Sequence, residues 1–184
     1  MELKQKGEKS AIDASQPLTV SMSWTTAADF DLAAAYETNT GKQGIVYFGD
    51  RGSLDKFPYM MLSEDKGVDD TVDDRDGINE EELQIIRLDH MKYVWIFCWD
   101  YNMVRRGQSA RFNDSDVTLS IIDVFANSVS VSIDTGDSGN VCCIATIDNT
   151  NPGHTKLINY SQAGTLKGLK TLEQLVNVVK QFNI

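Results

Sequence analysis

The chain has 184 residues, with 17 Lys and Arg against 27 Asp and Glu, a formal net charge of −10 and a pI of about 4.6. That balance excludes a nucleic-acid binder, because phosphate recognition needs clustered Lys and Arg. No apolar run approaches the roughly 20 residues of a membrane span, and MELKQKGEKS lacks the hydrophobic stretch of a signal peptide.

One domain of ordinary composition, in the cytoplasm, is therefore expected. Cys98, Cys142 and Cys143 form no even disulfide framework, and no CxxC occurs. They read as packing residues. His90 and His154 lie far apart, so a structural zinc site is not expected.

In chain order, residues 1–13 read as a short opening strand. Pro17 to Trp24 alternates apolar with polar, which predicts a half-buried strand. Read as a strand, Asp29-Phe30-Asp31-Leu32 puts its two carboxylates on one face, about 7 Å apart, where a cation between them could be shared. Gly44 to Phe48 is a further strand, followed by a turn at Gly49 to Gly52. Beyond the acidic segment, Leu83 to Leu88 is read as a strand. Tyr93 to Trp99 is apolar on both faces, as a covered central strand should be. Val117 to Ile121, Val129 to Ile133, Val141 to Ile147 and Lys156 to Tyr160 continue the pattern. At the C-terminus, Thr171 and Gln174 form a capping box ahead of the helical stripe Leu172, Leu175, Val176 and Val179. The fold class expected is an antiparallel β-sandwich of about ten strands with a C-terminal α-helix, spanning residues 1–184 as one domain.

The charge is not evenly spread. Ser63 to Glu82 holds Glu64, Asp65, Asp69, Asp70, Asp73, Asp74, Asp76, Glu80, Glu81 and Glu82, opposed only by Lys66 and Arg75. Such a patch repels itself unless a counter-charge neutralises it. Hard cations such as Ca²⁺ take oxygen ligands from these residue types. Gly67 and Gly77 supply turns, and Val68, Val72 and Ile78 interrupt the charge as a folded loop needs. The segment is no EF-hand: with Gly77 at loop position 6, Val72 and Leu83 fall at ligand positions 1 and 12.

The ordered set of Leu3 to Lys9, Trp24, Asp29-Phe30-Asp31-Leu32, the acidic loop and the apolar strand ending at Asp100 resembles the TerD family of tellurium-resistance and stress-response proteins. Tyr101 to Gln108, with Arg105-Arg106, and the segment Gly164 to Ile184 are similar to the family's later segments. The resemblance implies a calcium-binding β-sandwich acting alongside other TerD-like proteins or a TerC-type membrane partner. Carried over by position, the metal ligands would be Asp29, Asp31, Asp65, Asp69, Asp70, Asp74, Asp76, Asn79, Glu80, Glu81 and Asp100. The chain departs from the pattern at Ala33 and at Asp76-Gly77-Ile78-Asn79-Glu80-Glu81.

The function expected is a Ca²⁺-ordered interaction module in stress response, not an enzyme. Two alternatives stand beside it. One is a metal-dependent hydrolase, since paired carboxylates can hold Mg²⁺; the chain shows no Ser/His/Asp set and no P-loop. The other is a small-ligand protein of the cyclic-nucleotide-binding type, which the resemblance suggests and no motif supports. Asp29, Asp31 and Asp100, on or at the ends of strands, are expected to matter more than any one of Glu80, Glu81 or Glu82, taken as interchangeable loop acids.

Overall fold

The computed structural model describes residues 1–25, 30–63, 79–100, 110–111 and 116–164. In chain order the strands are β1 (Glu2–Leu3), β2 (Lys9–Ala11), β3 (Leu18–Trp24), β4 (Phe30–Thr38) and β5 (Gln43–Val46). Then come β6 (Gly52–Ser53), β7 (Met60–Leu62), β8 (Asn79–Ile85), β9 (Met91–Asp100) and β10 (Ala110–Arg111). The last are β11 (Thr118–Asp123), β12 (Ser128–Ser132), β13 (Ser138–Gly139), β14 (Val141–Asp148) and β15 (Lys156–Gly164). A seven-stranded sheet has the order β1-β12-β11-β3-β8-β7-β6, and a six-stranded sheet the order β2-β15-β14-β9-β4-β5. β10 and β13 pair separately.

The two large sheets face each other across one core. On the first, β3 alternates as expected: Leu18, Val20, Met22 and Trp24 are buried and Thr19, Ser21 and Ser23 are half-buried. Leu83 and Ile85 of β8 and Leu119 and Ile121 of β11 extend that face. Opposite them lie Phe30, Leu32, Ala34 and Tyr36 of β4, Val94, Ile96 and Cys98 of β9, and Cys142, Ile144 and Ile147 of β14. The six-stranded sheet is buried on its other face too, through Ala33, Ala35, Trp95, Phe97, Trp99, Val141 and Cys143. β9 is therefore continuously apolar because it lies between β14 and β4 with both faces covered. Cys142 and Cys143, adjacent on β14, belong to opposite faces, as alternation requires.

Four readings from sequence are revised. The expected opening strand is two short ones, because Gly7 turns the chain at φ 91 between β1 and β2. Each joins a different sheet, and β1 runs parallel to β12, so the sandwich is not antiparallel throughout. Fifteen strands occur among the described residues, five more than expected; several have two or three residues, too short to carry a periodicity. The strand read from Leu83 begins at Asn79, inside the acidic run, because β3 continues to pair it: Trp24 faces Asn79, Ser23 faces Glu80 and Met22 faces Glu81. The expected C-terminal helix lies outside the described residues.

Buried amides tie the elements together. Asn159 on β15 donates to the Leu3 and Ser132 carbonyls at 3.0 and 2.9 Å, and its side-chain oxygen accepts from Ser161. Asn149 donates to the Leu88 and Met91 carbonyls and accepts from Thr155. A buried side chain with its polar atoms satisfied costs little and makes the pairing specific.

Candidate functional site

β5 stops at Val46, opposite Ala34, so the start of β4 continues beyond the end of β5. There Leu32 donates its backbone N–H to Glu81 Oε2 at 2.6 Å. Glu81 reaches it from the other sheet. The alternation of β8 puts Glu81 on the inward face with Leu83 and Ile85, and only 3% of it is exposed. Asp31, one residue before Leu32, is 5% exposed and accepts from the Trp99 indole N–H at 3.2 Å. Trp99 is its register partner on β9. Both carboxylates line one small cavity of about 40 Å³, with Phe48, Arg51, Leu62 and Ser63.

The cavity's surroundings bear on its charge. Arg51 donates from Nε to the Leu62 carbonyl at 3.1 Å and makes no ion pair with a described carboxylate. Ser63 is bonded into β8 at both ends: its N–H donates to the Glu82 carbonyl at 2.8 Å, and its Oγ accepts from the Glu82 N–H at 3.0 Å. The chain thus enters residues 64–78 from the cavity wall at Ser63 and returns at Asn79, two residues before Glu81. The most acidic stretch of the sequence has both of its ends held beside two buried carboxylates.

Asp100 closes β9 opposite Phe30 and is 7% exposed. Its N–H donates to the buried Asn140 carbonyl at 3.0 Å. Burial pushes the Cys98 thiol well above its ordinary range; the Cys142 and Cys143 sulfurs and then the charges of Asp100 and Glu81 push the same way. Asp100 and Glu81 thus share one neighbourhood at this end of the core.

The architecture recurs in solved structures. A protein of unknown function, SAV2460, matches with a TM-score of 0.56 and 16% identity, over 80% of this chain and 91% of that one. SCO6318 from Streptomyces coelicolor A3(2), a homologue of the telluride resistance protein TerD, matches with a TM-score of 0.56 and 13% identity, over 87% and 94%. The fold is TerD-like. No family model and no curated protein matches the sequence. At such identity the likeness is one of fold alone.

Within the TerD-like frame the residues singled out from sequence separate into three groups. Asp31 and Glu81 share the cavity, with Asp100 nearby. Glu80 is on the opposite face of β8, exposed, accepting from Ser21 Oγ at 2.8 Å, and so points away from Glu81. Asn79 starts the strand on Glu81's face. Asp29, Asp65, Asp69, Asp70, Asp74 and Asp76 lie outside the described residues. Among the described residues, no three His, Cys, Asp or Glu side chains group closely enough to hold a metal ion. Treating Glu80, Glu81 and Glu82 as equivalent is corrected: pairing with β3 makes the run a strand, and alternation sends Glu81 alone inward. Arg51 and Ser63 had no sequence signal. Only the fold brings them to this cavity.

Proposed function

We propose that the protein is a calcium-binding interaction module of the TerD type, in which the cation fastens residues 64–78 to the cavity at Asp31 and Glu81. One observation carries the reading. Two carboxylates from different sheets, each at least nine-tenths buried, share a cavity whose wall is also the root of the acidic segment. A buried carboxylate is costly unless it is paired or bound to a cation. Among the described residues the wall's guanidinium, Arg51, donates through Nε to the Leu62 carbonyl.

The donors fit the ion. Asp31 and Glu81 carboxylates and the Ser63 hydroxyl are hard oxygen ligands, the class that Ca²⁺ takes. They fall short of the six to eight oxygens the ion needs, so the remainder would come from residues 64–78 or Asp29. Calcium would supply positive charge that cancels the repulsion there. The chain's own part is to hold two anionic oxygens rigidly. Leu32 N–H orients Glu81 and the Trp99 indole orients Asp31.

Function on this reading lies in the surface that the fastened segment presents, in a stress response of the tellurium-resistance kind, with other TerD-like proteins or a TerC-type membrane protein as partners. The deciding measurement is calorimetric titration with Ca²⁺ beside thermal melting in chelator. Defined stoichiometry and a melting temperature that rises with Ca²⁺ are expected. Indifference to millimolar Ca²⁺ would leave Arg51 as the cavity's counter-charge and remove the metal reading.

A further inference from the structure

A second concavity shares no residue with the Asp31–Glu81 cavity. It is a groove of about 360 Å³ on the outer face of the six-stranded sheet, where β9, β14, β15 and β2 run side by side. The register sets one row straight across it. Lys9 faces Ile158, Ile158 faces Thr146, and Thr146 faces Trp95. Tyr93 stacks on Trp95 with ring centroids 5.4 Å apart, and Tyr160 and Lys6 complete the wall.

The polar groups of this groove include two ammonium groups and two buried hydroxyls able to donate, against one carboxylate. Asp148 is turned toward its own turn, its Oδ1 accepting from the Thr150 N–H and hydroxyl at 3.0 and 2.6 Å. The Asn159 amide is spent on Leu3 and Ser132. The Lys6 and Lys9 ammonium groups form no ion pair. Thr146, only 5% exposed, has a buried hydroxyl with no hydrogen-bond partner, and so has Tyr160. The Cys143 thiol lies close enough to Thr146 to feel it but is too weak a partner to satisfy it. Buried hydroxyls without partners are rare and call for a reason. Two unpaired cations beside them, in a chain of net charge −10, narrow that reason to an acceptor-rich ligand. The remaining wall, Tyr93, Trp95 and Ile158, is apolar, and the volume is that of a small-molecule site.

We propose that this groove binds a small organic anion: an acidic headgroup taken by Lys6, Lys9 and the Thr146 and Tyr160 hydroxyls, and an aromatic body against Tyr93, Trp95 and Ile158. The proposal stands apart from the calcium reading.

Phenyl phosphate titrated into the full chain, observed through the tryptophan indole N–H resonances, tests it. The Trp95 resonance, assigned with Trp95→Phe, should move saturably while those of Trp24 and Trp99 stay. The matched cation benzylamine should leave it still. Benzoate separates the headgroups: equal binding assigns carboxylates, weaker binding assigns phosphate esters. Lys6→Gln with Lys9→Gln should weaken binding by at least about tenfold, the usual scale for losing charge-assisted hydrogen bonds. Thr146→Val should weaken binding several-fold while raising the melting temperature, because it deletes a buried unsatisfied hydroxyl without changing shape. No saturable Trp95 shift, equal binding of benzylamine, or undiminished affinity in the double variant would each overturn the assignment.

Discussion

Asp31 and Glu81 are the residues on which the metal reading turns, and their environments make distinct predictions. Glu81→Gln keeps an oxygen to accept the Leu32 N–H and removes only the charge, so the fold is retained. Asp31→Asn likewise keeps an acceptor for the Trp99 indole. Each should lower Ca²⁺ affinity at least about tenfold, or ~1.4 kcal/mol. In chelator each should melt close to the parent, since the amide keeps the acceptor for the Leu32 or Trp99 N–H. Glu80→Gln, on the exposed face, should change affinity far less. Calorimetry and melting of the three variants check this, and equal small losses would indicate diffuse counterion binding. The thiols give a second expectation. Burial raises Cys98 and Cys143 well above the ordinary 9.0 and Cys142 to about 12. All three should resist a thiol reagent at pH 8 in the native state and react once the chain is unfolded. A folded-state value raised above the unfolded one contributes stability that is intact below pH 9 and is lost as the pH climbs toward about 12. Chemical denaturation from pH 8 to 11 should show that decline, and substituting Cys142 by Ala should lessen it, with Cys98 and Cys143 supplying the remainder.

At the scale of elements, the short strands framing the cavity are where the backbone tolerates least. Gly52 opens β6 at φ +83, and a Cβ there would collide with the Met60 carbonyl oxygen of β7. Strain and collision together place Gly52→Ala among the costly backbone substitutions, about 2–4 kcal/mol. Because Arg51 adjoins it, the same change should also disturb the cavity, and calorimetry would register weaker Ca²⁺ binding beside the lowered denaturation midpoint. Asn159 poses the complementary case between elements. Replacing it with Ala leaves the Leu3 and Ser132 carbonyls without their donor, at about 1–3 kcal/mol for each stranded group. The loss should appear first as increased amide exchange in β1 and β12, which that side chain holds together.

For the whole molecule, the balance of charge decides how stability depends on the cation. The Ser63 to Glu82 segment carries ten acids against two bases, and the fold holds its ends at Ser63 and Glu81 next to a further carboxylate, Asp31. A ligand that binds only the folded state at a hundred times its dissociation constant adds about 2.7 kcal/mol. For a chain of this length that amounts to roughly 5–10 °C in melting temperature. Differential scanning calorimetry in chelator and in excess Ca²⁺ should show a rise of that order. Raising salt in chelator should recover part of it by screening.

The sequence by itself determined the layers and the chemistry. Alternation in β3, the doubly apolar run of β9, and the parity of Asp31 against Phe30 and Leu32 are local properties, because a strand's side chains alternate wherever it pairs. The excess of carboxylates in one segment is likewise a fact of composition. What only the tertiary structure decided is which carboxylates count. β8 extends back into the acidic run because β3 is long enough to pair with it as far as Trp24, and no local pattern in Asn79-Glu80-Glu81-Glu82 announces that. Glu81 reaches the Leu32 N–H where β4 runs on past the end of β5, and Arg51, just before β6, and Ser63, just after β7, reach the cavity from the other sheet. The groove of Lys9, Thr146 and Tyr160 draws on strands more than a hundred residues apart in the chain, paired by a register that hydrogen bonding between strands imposes and no short stretch encodes.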